Sequence, residues 1–124
     1  MILSEHEEQK KLIKWWHMFS SSASIPEELL FAIPNGGKRD VITASVLKSE
    51  GVRPGTPDLL LALDTYKHAG LFIEMKKVKG GVVSDKQRAF AQIIQSNTSY
   101  QHKVCCGFDE ASRAIKNYIL CGEA

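Results

Sequence analysis

The sequence predicts an α/β domain, with a mixed central β-sheet flanked by helices. Segments with helical periodicity alternate with short apolar runs typical of strands, in the order α-β-α-β-β-α-β-α. The chain has 124 residues, of which 44% are hydrophobic and 24% are charged. These proportions are typical of globular proteins and exclude collagen-like and disordered chains. We therefore expect a single domain over residues 1–124.

The first helix is predicted from Ser4 to about Phe19. Ser4 has the position of an N-cap, and Glu7 has that of its capping-box partner. Apolar side chains follow at helical spacing: Leu12, Ile13, Trp15, Trp16 and Phe19. A serine-rich stretch followed by Pro26 ends the helix. Adjacent helical residues point about 100° apart, so we expect one of the two tryptophans to lie outside the core, where a dimer interface would favour it.

The remaining elements follow from turn residues and apolar runs. Strands are predicted at residues 29–33, 58–64, 70–77 and 102–106. The second and third form a hairpin, because only a short polar segment separates them. A helix is predicted over residues 41–50, with Asp40 as its N-cap and Gly51 as the residue that stops it. Another runs from Ser84 to about Ser96, with Ser84 and Gln87 as a second capping box. Asp109 is the predicted N-cap of the last helix.

Charge, cysteine usage and hydropathy exclude several classes of protein. The 16 Lys and Arg against 14 Asp and Glu give a net charge of +2, so nucleic-acid binding would need a local basic patch. The apolar runs are too short for a membrane span, and the acidic N-terminus predicts no secretory signal. The cysteines lack metal-ligand spacing, which favours reduced thiols. We expect a cytoplasmic protein with no membrane partner and no organic cofactor, whose four histidines, His6, His17, His68 and His102, are structural or exposed.

The residues that indicate chemistry are Asp58, Glu74 and Lys76. Residues two apart in a strand face the same side, so Glu74 and Lys76 project together and Met75 points to the opposite face. The hairpin would bring Asp58 level with Glu74. Two carboxylates with open positions suit Mg²⁺ or Mn²⁺, which complete their coordination with water and substrate phosphate. Lys76 would orient the attacking water or stabilise developing negative charge.

These residues resemble a known family. Pro57-Asp58 followed by Glu74-Met75-Lys76 is similar to the PD-(D/E)XK nuclease motif. The segments Asn35-Gly36-Gly37, residues 51–59, residues 71–76 and Ser84-x-x-Gln87 resemble the VRR-NUC domain (virus-type replication-repair nuclease) over about residues 5–115. The resemblance implies an αβββαβ core and a metal-dependent DNA endonuclease. Stand-alone phage-type members of this size are similar to Holliday-junction resolvases, which are dimers acting on branched DNA in replication and repair.

The resemblance also implies roles for individual residues. Asp58 and Glu74 would be metal ligands, the Met75 carbonyl a further ligand, and Lys76 the catalytic lysine. Gln87 would lie near the active site, although the capping box explains it equally well. The family also uses a glutamate from the first helix. We assign Glu5, which shares a helix face with Gln9, and Glu8 is the alternative.

A DNA-binding surface is predicted around this pocket. Asn35 and the neighbouring Lys38 and Arg39 would approach phosphate from a glycine-rich turn. Further cations near the motifs are Arg53, Lys77, Lys79 and Lys86. Two alternatives to a junction resolvase stay open, a flap or single-strand nuclease and a non-catalytic DNA-binding module. A sequence-specific restriction enzyme would need readout elements for which 124 residues leave little room.

Overall fold

A computed structural model of the chain describes residues 2–34 and 41–121. Within them, four strands and four α-helices follow in the predicted order, with a short 3-10 helix (Glu27–Leu29) before the first strand. The helices are α1 (Glu5–Ser22), α2 (Val41–Ser49), α3 (Asp85–Asn97) and α4 (Phe108–Cys121). The strands are β1 (Leu30–Ala32), β2 (Leu59–Leu61), β3 (Leu71–Lys76) and β4 (Gln101–Cys106). None of the helices in this part of the chain is long and apolar enough to span a membrane.

The strands of the described residues form one mixed sheet in the order β1-β2-β3-β4. β2 is antiparallel to β1 and β3, whereas β4 is parallel to β3. The β2–β3 hairpin is therefore confirmed, with Leu59 opposite Ile73. β2 is shorter than the predicted run 58–64, because its other neighbour, β1, has only three residues to pair with it.

The hydrophobic core lies on one face of this sheet, beneath α1 and α4. β3 contributes Leu71, Ile73 and Met75, each at most 1% exposed. Alternate residues in a strand share a face, so Phe72, Glu74 and Lys76 project to the other side. There the Phe72 ring contacts Phe90 of α3, with ring centres 6.0 Å apart. The apolar core and the predicted site therefore share one strand and occupy opposite faces of it.

Helix α1 begins as predicted and ends later. The Ser4 and Glu7 capping box is present, with Glu7 N donating to Ser4 Oγ at 3.2 Å. The helix continues to Ser22, three residues beyond the predicted end. Serine is tolerated here because its hydroxyl bonds the helix backbone, as in the 2.9 Å bond from Ser22 Oγ to the Phe19 carbonyl.

The two tryptophans of α1 differ in burial, as expected, but both are covered by the chain itself. Trp16 is 2% exposed, and its Nε1 donates to the Glu27 carbonyl at 2.9 Å. Trp15 is half-buried and stacks on Phe19 with ring centres 4.7 Å apart. Lys116 Nζ lies 5.7 Å from the Trp15 ring centre. One tryptophan therefore lies partly outside the buried core, as predicted, and its place in a dimer interface stays a prediction.

Helix α4 begins one residue before the predicted N-cap. Asp109 lies inside its first turn, so the prediction that it caps the helix is wrong. The first backbone N–H of the helix, that of Phe108, instead donates to Glu8 Oε1 at 3.1 Å. Gly107 precedes it with φ +94°, and a Cβ there would lie 2.7 Å from Val78. A carboxylate from α1 thus takes the place of a local cap.

Candidate active site

The loop before β2 places Asp58 at the end of the sheet where β2 begins. Two prolines exclude helix from this loop, and Gly55 makes its tight packing possible. Gly55 has φ +89°, and a Cβ there would lie 2.6 Å from the carbonyl oxygen of Lys86. The loop therefore rests directly on the first turn of α3, which also carries Gln87. Asp58 and Gln87 are brought to one place by this contact.

Asp58 continues the pairing of β2 and then binds β3 through its side chain. Its backbone N–H donates to the Ile73 carbonyl at 3.0 Å. Its Oδ2 accepts a 2.7 Å hydrogen bond from the backbone N–H of Met75. The carboxylate thus accepts the hydrogen bond that a backbone carbonyl of β2 would accept if the strand extended this far. This fixes Asp58 beside Glu74, as the hairpin register predicts.

Glu74, Lys76 and Gln87 form a hydrogen-bonded chain between β3 and α3. Gln87 Nε2 donates to Glu74 Oε2 at 2.9 Å, and Lys76 Nζ donates to Gln87 Oε1 at 3.0 Å. Lys76 Nζ also lies 3.7 Å from Glu74 Oε2. Glu74 is 2% exposed and Lys76 is 7% exposed. Such burial of charge is tolerated only where hydrogen bonds and an opposite charge are present.

Gln87 makes both of the contacts considered for it, one with the cap of α3 and one with the charged motif residues. Its Oε1 accepts from the backbone N–H of Ser84 at 2.9 Å, and Ser84 Oγ accepts from Gln87 N at 3.1 Å, which completes the capping box of α3. The same amide contacts Glu74 and Lys76. The cap therefore orients the amide toward the two charged groups.

The carboxyl of Glu74 is strongly perturbed. Burial is the largest cause, followed by the negative charge of Asp58 and a carboxyl–carboxyl hydrogen bond with it, and together they raise the pKa of Glu74 to about 8. Lys76 opposes this shift, and Glu5 adds to it. When both carboxyls are ionised, Glu74 Oε1 is buried without a hydrogen-bond partner in the described part of the chain. The pair therefore requires either a shared proton or a cation.

A cavity of about 630 Å³ opens beside Asp58. Its lining includes Asp58 and Met75 from the sheet region, Glu5 and Gln9 from α1, and two lysines, Lys77 and Lys79. Glu5 is exposed and influences the pKa of Glu74, whereas Glu8 is buried and bonded to α4. Of the two candidate glutamates, Glu5 is the one that lines the cavity.

The donor set fits a hard divalent cation. Residues 2–34 and 41–121 contain no cluster of three His, Cys, Asp or Glu side chains arranged to hold a metal. Two carboxylates with Glu74 Oε1 lacking a partner within that part of the chain nevertheless match Mg²⁺ or Mn²⁺, which retain several water ligands. Neutralising the Asp58–Glu74 repulsion would favour binding.

Comparison with known proteins identifies this arrangement. The family model of the VRR-NUC domain matches residues 2–109. The chain belongs to the VRR-NUC domain family. A solved structure described as a VRR_NUC domain protein is similar over 98% of this chain and 92% of its own, with a TM-score of 0.81 and 25% sequence identity. The resemblance inferred from the motifs is thus confirmed, and no curated protein matches the chain.

Membership of the VRR-NUC family makes this a nuclease domain of the PD-(D/E)XK type. The mixed sheet with flanking helices agrees with the structural neighbour. Asp58, Glu74 and Lys76 occupy the motif positions quoted from the sequence. Nucleic acid is therefore the expected substrate class.

The cations predicted to bind DNA lie partly around the VRR-NUC cavity. Lys77 and Lys79 are exposed and line it. Arg53 and Lys86 are exposed at the contact between the loop and α3. Asn35, Lys38 and Arg39 lie outside the described residues. Lys77 and Lys79 thus lie in the same cavity as Asp58, and contact of these cations with DNA stays a prediction.

Two features of this VRR-NUC site were not predicted from the sequence. Glu8 holds the start of α4 through a contact between residues 100 positions apart, for which the sequence has no local signal. His102 is 9% exposed, lies opposite Phe72 in the sheet, and has an Nε2 atom without a partner in the described residues. The sequence holds only a weak signal for its burial, because polar and apolar residues alternate imperfectly along β4.

Proposed function

We propose that this protein is a metal-dependent endonuclease that hydrolyses phosphodiester bonds in branched DNA, in the manner of a Holliday-junction resolvase. The observation that carries the proposal is the buried chain Glu74–Gln87–Lys76 beside Asp58, with one carboxylate oxygen lacking a partner in the described residues. A structural ion pair would use all of its buried acceptors. An incomplete carboxylate pair is instead typical of a cation site.

The proposed ligands are Asp58, Glu74 and the Met75 carbonyl, with Glu5 completing the set from α1. Mg²⁺ or Mn²⁺ bound there would polarise the scissile phosphate and lower the pKa of a coordinated water. Asp58 is held for this task by the N–H of Met75, at 2.7 Å. Glu74 is held by the amide of Gln87, at 2.9 Å.

Lys76 supplies a fixed positive charge. Its ammonium donates to Gln87 and lies close to Glu74, so the side chain is restrained by two groups before substrate arrives. A restrained ammonium stabilises the charge that develops on the phosphate oxygens and orients a nearby water, without reorganising during the reaction. Lys77 and Lys79, together with Arg53 and Lys86, would bind phosphates on either side.

Selectivity for branched DNA and a homodimeric assembly form part of the proposal. The net charge of +2 gives little non-specific attraction to duplex DNA, so recognition by shape is favoured. Large apolar side chains, including Phe31, Val46 and Ile93, are exposed on β1, α2 and α3. Such side chains favour association with a second copy. Two copies would present two sites to a symmetric junction.

The first experiment compares Mg²⁺- and Mn²⁺-dependent cleavage of a four-way junction, a flap, a single strand and a linear duplex. Lys76→Met retains the buried stem and removes the ammonium, so the rate should fall at least about 100-fold. Lys67→Met is the matched control, because Lys67 is exposed in the β2–β3 loop at the other end of the strand. Paired cuts in the junction alone, abolished by Lys76→Met, are expected.

Other outcomes change the proposal in defined ways. Cleavage of flaps or single strands without junction cleavage would support the proposed catalytic site and show that flaps or single strands are the substrate. Metal-independent binding with no cleavage of any DNA would favour the non-catalytic module. A monomeric mass at micromolar protein, measured by light scattering, would exclude the dimer.

A further inference from the structure

A second cavity lies between α3 and β4, on the sheet face that carries Glu74. Its volume is about 540 Å³, within the range of about 300–1,000 Å³ typical of small-ligand pockets. Gln87 lines it, and the same side chain bonds Glu74 and Lys76. The cavity therefore adjoins the proposed catalytic residues.

The lining of this cavity is rich in neutral hydrogen-bonding groups. They are the amides of Gln87, Gln92 and Gln95, the hydroxyl of Ser96 and the imidazole of His102. Arg88 and Lys103 add two cations, and no carboxylate is present among the described residues that line it. A metal ion would find no anionic ligand there. The lining instead suits an uncharged group with several hydrogen-bond donors and acceptors that is attached to a negatively charged group.

His102 provides an independent indication of a ligand. It is 9% exposed, and its buried Nε2 has no hydrogen-bond partner in residues 2–34 and 41–121. Burial lowers the pKa of His102, which favours the neutral ring, with one donor and one acceptor nitrogen. Buried polar atoms without partners are uncommon in native proteins.

The position of His102 relates the cavity to the scissile phosphate. Val104 lies opposite Glu74 in the sheet, and His102 lies two residues earlier, opposite Phe72. Two residues of strand correspond to about 7 Å. The cavity thus lies beside the carboxylates, on the same face of the sheet.

Building on the proposed nuclease function, we propose that this cavity receives an unpaired nucleobase of the DNA, next to the bond that is cut. Glutamine side chains pair with the donor and acceptor atoms of base edges. A base can enter a cavity only after it leaves the stack, as at a branch point or in a single strand. Arg88, which also lines the cavity, would bind the phosphate of the same nucleotide.

The test measures binding to single-stranded oligonucleotides that carry one abasic site at successive positions. Ca²⁺ replaces Mg²⁺, so that binding is measured without cleavage, by fluorescence anisotropy. Wild-type affinity should fall about tenfold when the abasic site occupies one particular position, because the base that fills the cavity is then missing. The position should be the same in every sequence context.

Variants then assign the effect to the cavity. Gln92→Leu and His102→Leu should abolish the abasic penalty, because they remove partners of the base. Asn97→Leu is the matched control, since Asn97 is exposed on the same helix and is not among the residues that line the cavity; it should retain the penalty. Gln92 is exposed, so its variant decides the outcome if His102→Leu does not fold.

The inference fails if wild-type protein does not bind single strands, if no abasic position weakens binding, or if Gln92→Leu retains the full penalty. Failure of the nuclease proposal has a different signature. Cleavage would then be absent with every substrate and metal in wild-type protein, whereas failure of the base cavity would leave metal-dependent cleavage in Gln92→Leu at the wild-type rate on every substrate.

Discussion

The Oε1 atom of Glu74 has two ways to be satisfied, a proton shared with Asp58 or a bound cation. The raised pKa of Glu74, about 8 against an ordinary 4.5, shows that the metal-free fold favours the proton. Binding of the proposed metal would therefore displace this proton. Affinity for Mg²⁺ or Mn²⁺ would consequently increase as the pH rises toward 8.

The first prediction concerns this proton and stability. Between about pH 4.5 and 8, folded protein retains a proton on Glu74 that unfolded protein has released, so stability contributed by this group is full below about pH 4.5 and is lost as the pH rises through about 8. Thermal melting in EDTA should show a midpoint that declines across this range. Mn²⁺ should raise the midpoint more at pH 8 than at pH 6.

The control for this prediction is Glu74→Gln, which cannot ionise. Its melting midpoint should decline less with pH than that of the wild type, and Mn²⁺ should raise it little. An identical pH slope in the two proteins would show that the proton resides elsewhere.

The second prediction separates the two functions of Gln87. Ser84→Ala removes only the side-chain half of the cap and should cost about 1 kcal/mol of unfolding free energy, with cleavage unaffected. Gln87→Glu preserves a capping box but places a third carboxylate against Glu74 in place of a donor. Chemical denaturation and cleavage rates measure both effects. Gln87→Glu should lose activity although its capping box is retained, and unchanged activity would show that Gln87 only caps the helix.

At the scale of elements, the N-termini of α3 and α4 are stabilised in different ways. α3 is capped by its own Ser84 and Gln87. The start of α4 instead depends on Glu8 of α1, which is 100 positions away in the sequence. The first is a local pattern that the sequence displays. The second depends on how α1 and α4 pack, so local pattern alone assigns the cap to the nearest carboxylate, Asp109.

The third prediction tests the two glutamates of α1. Glu8→Ala leaves the Phe108 N–H buried without its acceptor and should cost about 1–3 kcal/mol of unfolding free energy. Glu8→Gln retains an acceptor oxygen and should cost less. Glu5→Gln, at an exposed position, should leave stability nearly unchanged and weaken Mn²⁺ binding in isothermal titration. Equal Mn²⁺ affinity for Glu5→Gln and the wild type would remove Glu5 from the proposed ligands.

Helices and strands were predictable where short-range sequence patterns determine them. They were less predictable where contacts with other elements determine them. Both capping boxes, the hairpin and the order of helices and strands follow from the sequence. The end of α1 does not, because it depends on a serine hydroxyl that bonds a carbonyl in the preceding turn. The length of β2 does not either, because β1 offers only three residues to pair with it. Asp58, Glu74 and Lys76 were identified by motif. The burial of His102 arises from packing against α3, which periodicity does not indicate.

At the scale of the whole molecule, the sheet separates two environments. One face holds the apolar core with α1 and α4, and the other holds the charged and amide groups with α3. Because Met75 is 1% exposed in the core and Glu74 and Lys76 flank it in sequence, core packing fixes the charged groups in place. Rigidity of the proposed site therefore derives from the opposite face.

The fourth prediction concerns charge across the molecule. With a net charge of +2, affinity for duplex DNA should depend on a few cations near the cavity. The double variant Lys77→Ala, Lys79→Ala should reduce the slope of log Kd against log salt by about 0.9 for each phosphate that the protein no longer neutralises. Anisotropy titrations at several KCl concentrations measure this slope. Lys10→Ala, Lys14→Ala, at exposed positions farther along α1, is the matched control, and an equal reduction there would indicate diffuse attraction.

The bond between Glu8 and Phe108 joins residues 100 positions apart, so it can form only late in synthesis. During synthesis α1 leaves the ribosome early, and it meets the start of α4 only after β4 has been made. β3 likewise lacks its parallel neighbour until then. A nascent chain therefore carries Asp58, Glu74 and Lys76 without the scaffold that assembles them. On the proposed function, DNA near translating ribosomes is not exposed to a half-made nuclease.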